Sequence, residues 1–325
     1  MPVYRGFRGA GKGESGMEAL TYSRISMRAR CPQREHFHYD LLLRSKQVQW
    51  ALDIGSAFHH AMEIWNRGCS EEEAVTAALA HLDEVANRID DEAELNKLPA
   101  QKIRVEVMVR QAVQRFPRYE PVVIEHKFDL PIKNPLTGRP SRTFRLAGKI
   151  DGVVRTPDGK YWLVEYKSTG QTLEQFRLRY GLDAQISLYT LAARDALGIE
   201  VEGALIRVLV KSRFEPRKGE SLEDFKARLT ATYEEESERF ISEDLVVRTP
   251  EQLEQTRWEL WAEVQSRLFD QRLGVIRRNP QACTDFGGCP FRAICLGLPG
   301  WEDMYYTADT QHDELSGDGQ EAKTA

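Results

Sequence analysis

No run of eighteen apolar residues occurs anywhere in the 325-residue chain, so an ordinary membrane-spanning helix is not expected. The first residues lack the apolar core of a signal peptide, and the expectation is a soluble, cytoplasmic protein with no membrane partner. Cysteine is scarce: there are five, an odd number without an export signal, which argues against a disulfide framework and for metal or cluster ligation. A phosphate-binding loop is missing too. Gly9-Ala10-Gly11-Lys12-Gly13 is glycine-rich, but it does not complete G-x-x-x-x-G-K-[ST], having Gly13 in place of Ser or Thr, and follows no strand. Positive charge is also lacking overall, with a net charge of −5.

That charge is unevenly spread. Residues 1–49 carry nine Lys/Arg against four Asp/Glu, and 203–218 carry five against one, whereas 71–94 carry nine acidic groups and one Arg. Such segregation is what a basic groove on an acidic body would look like, and only the groove need meet phosphate. The plainer reading is a set of solvated faces. A hydrophobic content of 41% supports a core for one elaborated domain or two small ones.

Periodicity predicts a short helix capped by Ser26 and ending near Cys31-Pro32, then helices over about 34–48, 55–66, 70–89 and 98–116. A strand is expected from Val122 to about Pro131, where Glu125 reads as a surface residue or, as the second reading, as one that reaches a metal site. A helical region over 172–197, a strand over 201–210 and long helices over 221–242 and 250–279 follow. This mixed order predicts an α/β fold with helical elaborations. Residues 1–20 and 306–325 read as disordered ends, leaving 21–305 as the folded domain.

The most informative stretch is Ala147–Gly170. Ile150, Val153 and Val154 lead into the turn signal Thr156-Pro157-Asp158-Gly159, and Tyr161-Trp162-Leu163-Val164 lead out, which reads as a β-hairpin. Asp151, Glu165 and Lys167 sit where the hairpin would otherwise be buried, and side chains two apart on a strand share a face. Two carboxylates and one ammonium there are costly unless a divalent cation takes part. The chemistry that uses such a trio is metal-assisted phosphodiester hydrolysis, with Asp151 and Glu165 as oxygen ligands for Mg²⁺ or Mn²⁺ and Lys167 offsetting transition-state charge. A cross-strand ion pair on an exposed hairpin is the plainer alternative. Gln185 and Tyr189, four apart, share one face of the following helix.

Gly148-x-x-Asp151, Glu165-x-Lys167 and Gln185-x-x-x-Tyr189 together resemble the core of the PD-(D/E)XK nuclease superfamily. They are most like its RecB-like branch, which includes the CRISPR-associated iron–sulfur exonucleases and the AddB nuclease domain. In that branch an upstream helix carries G-x-x-φ-H, whose histidine binds the metal. Gly55-Ser56-Ala57-Phe58-His59 matches it, so the resemblance gives that role to His59 rather than His60. Ile150 stands where the family name has proline, as is common in the branch. The likeness covers roughly residues 21 to 300. It implies a restriction-endonuclease-like mixed central sheet flanked by helices, with N- and C-terminal helical elaborations joined by an iron–sulfur cluster. The implied ligands of Mg²⁺ or Mn²⁺ are His59, Asp151, Glu165 and the backbone carbonyl of Tyr166. Lys167 would assist water, while Gln185 and Tyr189 would position the strand.

Cys283, Cys289 and Cys295 recur every six residues in CTDFGGCPFRAIC, and Cys31 lies some 250 residues earlier in a similar Cys-Pro context. By the resemblance these four hold a [4Fe–4S] cluster, which needs four thiolates. Zinc accepts the same ligands, but structural zinc sites usually have shorter spacers, and unligated core cysteines are a further alternative. Cys69 takes no part. The activity implied is a metal-dependent exodeoxyribonuclease on single-stranded or end-exposed DNA, working with a helicase or recombination partner. The rivals are a catalytically silent DNA-binding scaffold and an RNA-processing nuclease.

Overall fold

The computed structural model describes residues 16–315. Residues 1–15, with the Gly9–Gly13 run, and 316–325 at the end of the expected tail lie outside the described residues. In chain order the elements are β1 (Glu18–Leu20), α1 (Tyr22–Arg30), α2 (Pro32–Glu35), β2 (Leu43–Ser45), α3 (Trp50–Asn66), α4 (Glu71–Ala86), α5 (Glu92–Leu95) and α6 (Leu98–Arg115). Then come β3 (Glu120–Lys133), β4 (Pro140–Arg155), β5 (Tyr161–Thr169), α7 (Leu173–Arg177), α8 (Ala184–Leu197) and β6 (Gly203–Val210). The last are α9 (Leu222–Glu235), α10 (Ser237–Phe240), β7 (Ile241–Val247), α11 (Pro250–Leu273), α12 (Arg292–Leu296) and β8 (Tyr305–Thr307). The described residues fall into two units, one of 16–47, 127–149 and 249–315, the other of 48–126 and 150–248.

The second unit is a mixed sheet with helices. The end of β4 pairs antiparallel with β5, β5 runs parallel to β6, and β6 pairs antiparallel with β7. Parallel neighbours need a crossover, supplied here by α7 and α8. All eight residues of β6 are buried, as a strand covered on both faces requires. Helices α3, α4, α6 and α9 bury Phe58, Met62, Leu82, Met108 and Phe225 against Val164, Leu205 and Leu209. Ser70 caps α4 with a full capping box to Glu73, satisfying two otherwise orphaned amides.

The first unit is held largely by ions. Arg24, 2% exposed, meets Glu35 at 2.6 Å and Asp40 at 2.9 Å. Arg267 reaches the same Glu35 at 2.8 Å, and Arg28 meets Asp270 at 2.5 Å. These pairs join α1 and α2, near the start of the chain, to α11. In this unit β1 also lies parallel to the first half of β4.

Several expectations change. The helix expected over 34–48 ends early: α2 runs on as a π-helical turn over His36–Asp40, then Leu42 takes φ 56° and Leu43–Ser45 pairs with Tyr305–Thr307. The apolar residues read as a helical face serve a small core of Phe37, Phe291, Ile294 and Tyr305. The same pairing makes a strand of Tyr306 and Thr307, the start of the expected disordered tail, and β1 occupies 18–20 of the expected disordered start. Thr21, not Ser26, caps α1 by accepting from the Arg24 amide. The helix expected over 250–279 stops at Gly274, whose φ of +64° is left-handed. The helix expected over 221–242 gives way to β7. The basic groove is thinner than composition implies, because Arg24, Arg28 and Arg207 are buried.

Burial alone would raise the Glu35 pKa, but the Arg267 and Arg24 guanidiniums overcome it and hold the carboxyl at about 2. A carboxyl depressed on folding contributes stability that is complete above its unfolded value of 4.5 and is lost as pH falls toward 2. Glu35→Gln removes the carboxylate that Arg24 and Arg267 share, leaving Arg24 with Glu18 and Asp40 and Arg267 with Glu263, and urea unfolding at pH 7 is expected to show a loss of roughly 3 kcal/mol. The wild-type advantage should shrink below pH 4.5. Equal stability of the two proteins at pH 7 would contradict this ion core.

Candidate active site

The hairpin forms where the turn signal puts it. The Thr156 amide donates to the Lys160 carbonyl at 2.9 Å, and Gly159 supplies the φ of +83° that closes the turn. Gly152 pairs with Val164, so Asp151 and Glu165, one step further along each strand, come together across the ladder. The Tyr166 amide donates to Asp151 Oδ2 at 3.2 Å. Lys167 Nζ lies 2.5 Å from Glu165 Oε1.

Gln185 arrives from α8, whose first turn is fixed by Asp183 accepting from the Gln185 amide at 2.9 Å. The Gln185 side-chain nitrogen donates to Glu165 Oε1 at 2.8 Å, and its oxygen accepts from Lys167 Nζ at 2.6 Å. One carboxamide thus fixes both charged side chains. Tyr189 is one turn on, where with Glu165, Ile150, Leu163, Ile186 and Ala204 it lines a small, narrow pocket.

His59 comes from α3. A Cβ on Gly55 would stand 3.2 Å from the Ser168 hydroxyl oxygen, so glycine lets the helix approach β5 closely. Phe58 is fully buried. His59 Nδ1 lies 3.6 Å from Asp151 Oδ2. Neighbouring His60 is 44% exposed and turns to Glu63 instead. The motif glycine Gly148 has its own reason, since a Cβ there would lie 2.5 Å from the Phe128 ring.

Electrostatics make the site unusual. Glu165 is 5% exposed. Burial pushes its pKa up to about 7, Lys167 pulls it down, and the Asp151 charge pushes it up again. Burial disfavours the Lys167 ammonium, but Glu165 and Asp151 outweigh it and its pKa is raised. Both shifts are upward for different reasons: burial dominates at Glu165, whereas at Lys167 the carboxylates of Glu165, Asp151 and Asp183 outweigh it. A buried carboxylate beside a second carboxylate and an imidazole is the hard-donor set that suits Mg²⁺ or Mn²⁺, so the residues fit the ion. Among the described residues, no three His, Cys, Asp or Glu side chains already stand in the arrangement that holds an ion.

Glu125 is where the sequence reading fails. It is 8% exposed, not a surface residue, and takes φ 49° within β3. The His60 pKa is raised first by Glu63, and Glu125 and Glu84 add to it, so Glu125 lies close to this end of α3. Only a positive φ, invisible in composition, would have marked it. Tyr166 keeps its backbone at the site while its ring, 2% exposed, points to the opposite face of the strand.

The four cysteines gather in the first unit. The Asn279 amide donates to Cys31 Sγ at 3.4 Å, and the Cys289 amide to the Cys283 carbonyl at 2.9 Å. Burial raises the Cys295 pKa to about 11; Arg278 opposes this, and Cys289, Cys31 and Cys283 add to it. Burial likewise raises Cys289, with Arg34 opposing. Four thiols within one another's electrostatic reach, with two guanidiniums nearby, fit a thiolate-bound cluster of net negative charge. Cys69 sits in the other unit, where its carbonyl accepts from Arg118.

The sequence model of the PD-(D/E)XK nuclease superfamily matches residues 19–296. Over 205 residues the chain is 27% identical to a component of the ATP-dependent helicase/deoxyribonuclease of Moorella thermoacetica, covering 54% of this chain and 18% of that protein. The chain therefore spans less than a fifth of that relative. The crystal structure of SSO0001 superposes over 89% of each chain at 12% identity with a TM-score of 0.35, too loosely to carry an argument.

Gly148→Ala is expected to destabilise the protein by about 1–3 kcal/mol through the clash with Phe128. Phe128→Leu in the same chain should recover part of that loss in thermal melts. Simple addition of the two penalties would show that Gly148 is needed for another reason.

Proposed function

The chain belongs to the PD-(D/E)XK nuclease superfamily, and from that premise we propose that it is a Mg²⁺- or Mn²⁺-dependent deoxyribonuclease degrading single-stranded or end-exposed DNA as an exonuclease. One observation carries the reading: Glu165, Lys167 and Gln185 form one hydrogen-bonded group, while the Tyr166 amide holds Asp151 next to it and His59 stands beside Asp151. In this reading His59, Asp151, Glu165 and the Tyr166 carbonyl hold the cation. When bound, the cation polarises the scissile phosphate and lowers the pKa of water.

The chain's own residues do the rest. Lys167 stays an ammonium and presents positive charge to the phosphoryl oxygens as negative charge grows on them. Gln185 braces the Lys167–Glu165 pair, accepting from the ammonium and donating to the carboxylate, and so fixes where both point. Tyr189, one turn along α8, faces the incoming strand. The likeness to a component of an ATP-dependent helicase/deoxyribonuclease supports a helicase or recombination partner that unwinds duplex for it.

We further propose that Cys31, Cys283, Cys289 and Cys295 hold a [4Fe–4S] cluster with a structural role. The grouping of the four thiols beside Arg34 and Arg278 supports this. Anaerobically purified protein should contain iron and acid-labile sulfide, both lost in Cys289→Ala. Zinc in their place, or unchanged iron in the variant, would overturn the cluster.

Activity is tested on end-labelled linear single-stranded, linear duplex and circular DNA, and on RNA, with Mn²⁺ or Mg²⁺. Linear single strands should disappear only with added metal, and Asp151→Ala and Lys167→Ala should each be slower by at least about a hundredfold. Cutting of circles would make it an endonuclease. Preference for RNA would move the substrate class, and DNA binding without cleavage would replace the enzyme with a scaffold.

A further inference from the structure

Arg207 is a fully buried guanidinium in the middle of β6, 2% exposed. Taking such a cation out of water costs several kcal/mol unless its donors are met. Here they are met. Nε donates to Glu243 at 2.8 Å, Nη1 donates to the Tyr166 hydroxyl at 2.8 Å, and Nη2 donates to the Pro117 carbonyl at 2.5 Å. The rings of Phe116, Tyr119 and Tyr166 surround it, with centroids 5.2, 5.4 and 5.6 Å away. Tyr119 also donates to Glu243 at 3.1 Å. A sheet core could be filled by a leucine at far lower cost, so the network calls for a reason beyond stability.

The Tyr166 hydroxyl supplies one. It accepts from Arg207 and donates to Asn66 Oδ1 at 2.9 Å, so its proton has one destination. Asn66 is the last residue of α3, the helix that carries His59. Seven residues separate the two, close to two full turns, so they share a face about 10 Å apart. Tyr166 lies between Glu165 and Lys167, and its amide holds Asp151. A single residue therefore connects the histidine helix, the strand bearing Glu165 and Lys167, and the backbone contact to Asp151. The helix is seated on β5 at two places, Gly55 against Ser168 and Asn66 against Tyr166, with His59 between them.

We propose that the Asn66–Tyr166–Arg207 chain is the positioning device that sets the gap between His59 and the Asp151–Glu165 carboxylates, and with it the affinity for the divalent cation. This rests on the cation site proposed above. Arg207 and the three rings fix the Tyr166 hydroxyl; the hydroxyl fixes the end of α3; the helix carries His59 to Asp151. None of the three side chains touches the cation, since each acts through another group.

The test is Mn²⁺ binding to the full chain, read by the electron paramagnetic resonance signal of free Mn²⁺, with thermal melts of the same samples. Tyr166→Phe keeps the ring and removes the hydroxyl, and Asn66→Leu removes the acceptor. Each should weaken Mn²⁺ binding by about tenfold, and the double variant should be no weaker than either alone. Asn66→Asp keeps an acceptor and should bind as wild type does. Wild-type Mn²⁺ affinity in Tyr166→Phe and Asn66→Leu, with lowered melting temperatures, would overturn the inference by making the network merely structural. Asp151→Asn is the control: wild-type affinity there would overturn the cation site itself and this inference with it.

Discussion

Two carboxylates placed opposite one another on buried strands repel, and the register of β4 on β5 leaves them no escape. Asp151 and Glu165 face each other because Gly152 pairs with Val164, and a one-residue slip would turn every side chain of one strand to the other face. In a medium that screens poorly, such a pair demands positive charge. The protein supplies one cation itself, Lys167, yet the Glu165 pKa still rests near neutrality. A divalent ion at the proposed site would meet the remaining demand; α8 brings Gln185 to one face of β5, and α3 brings His59 alongside Asp151.

The other unit solves a different problem, joining segments from opposite ends of the chain. Arg28 and Asp270 are 242 residues apart, and Cys31 and Asn279 are 248 apart. Closing so long a loop costs entropy that grows slowly with length, and several independent ties offset it: the Arg24–Glu35–Arg267 triad, the β2–β8 pair, the Gln33 amide on the Arg277 carbonyl, and the cysteine group. The cluster proposed on the four thiols would add one more tie to a segment that ions already hold.

Much of the site is legible in the sequence because its spacing is local. Gly55 to His59 is one turn of helix, Glu165 to Lys167 one face of strand, Gln185 to Tyr189 one turn again. The turn at 156–159 fixes the hairpin that unites them. What is illegible depends on distant partners. In β7 the usual pattern is inverted, with Ser242 buried while Leu245 and Val247 are 61% and 57% exposed, so no alternation marks it as a strand. Residues 34–48 look helical until β8 pairs with Leu43–Ser45. Arg207 reads as part of a basic patch, and only Glu243, Tyr166 and Pro117 reveal it as a buried brace. Glu125 looks like an ordinary surface glutamate because nothing local announces a left-handed residue in a strand.

The most direct test of the central claim is anomalous diffraction from crystals grown with Mn²⁺. A peak bonded to the carboxylates of both Asp151 and Glu165, with His59 as a further ligand, is the predicted result. Manganese bound to neither carboxylate, in crystals whose hairpin keeps the register described above, would contradict it.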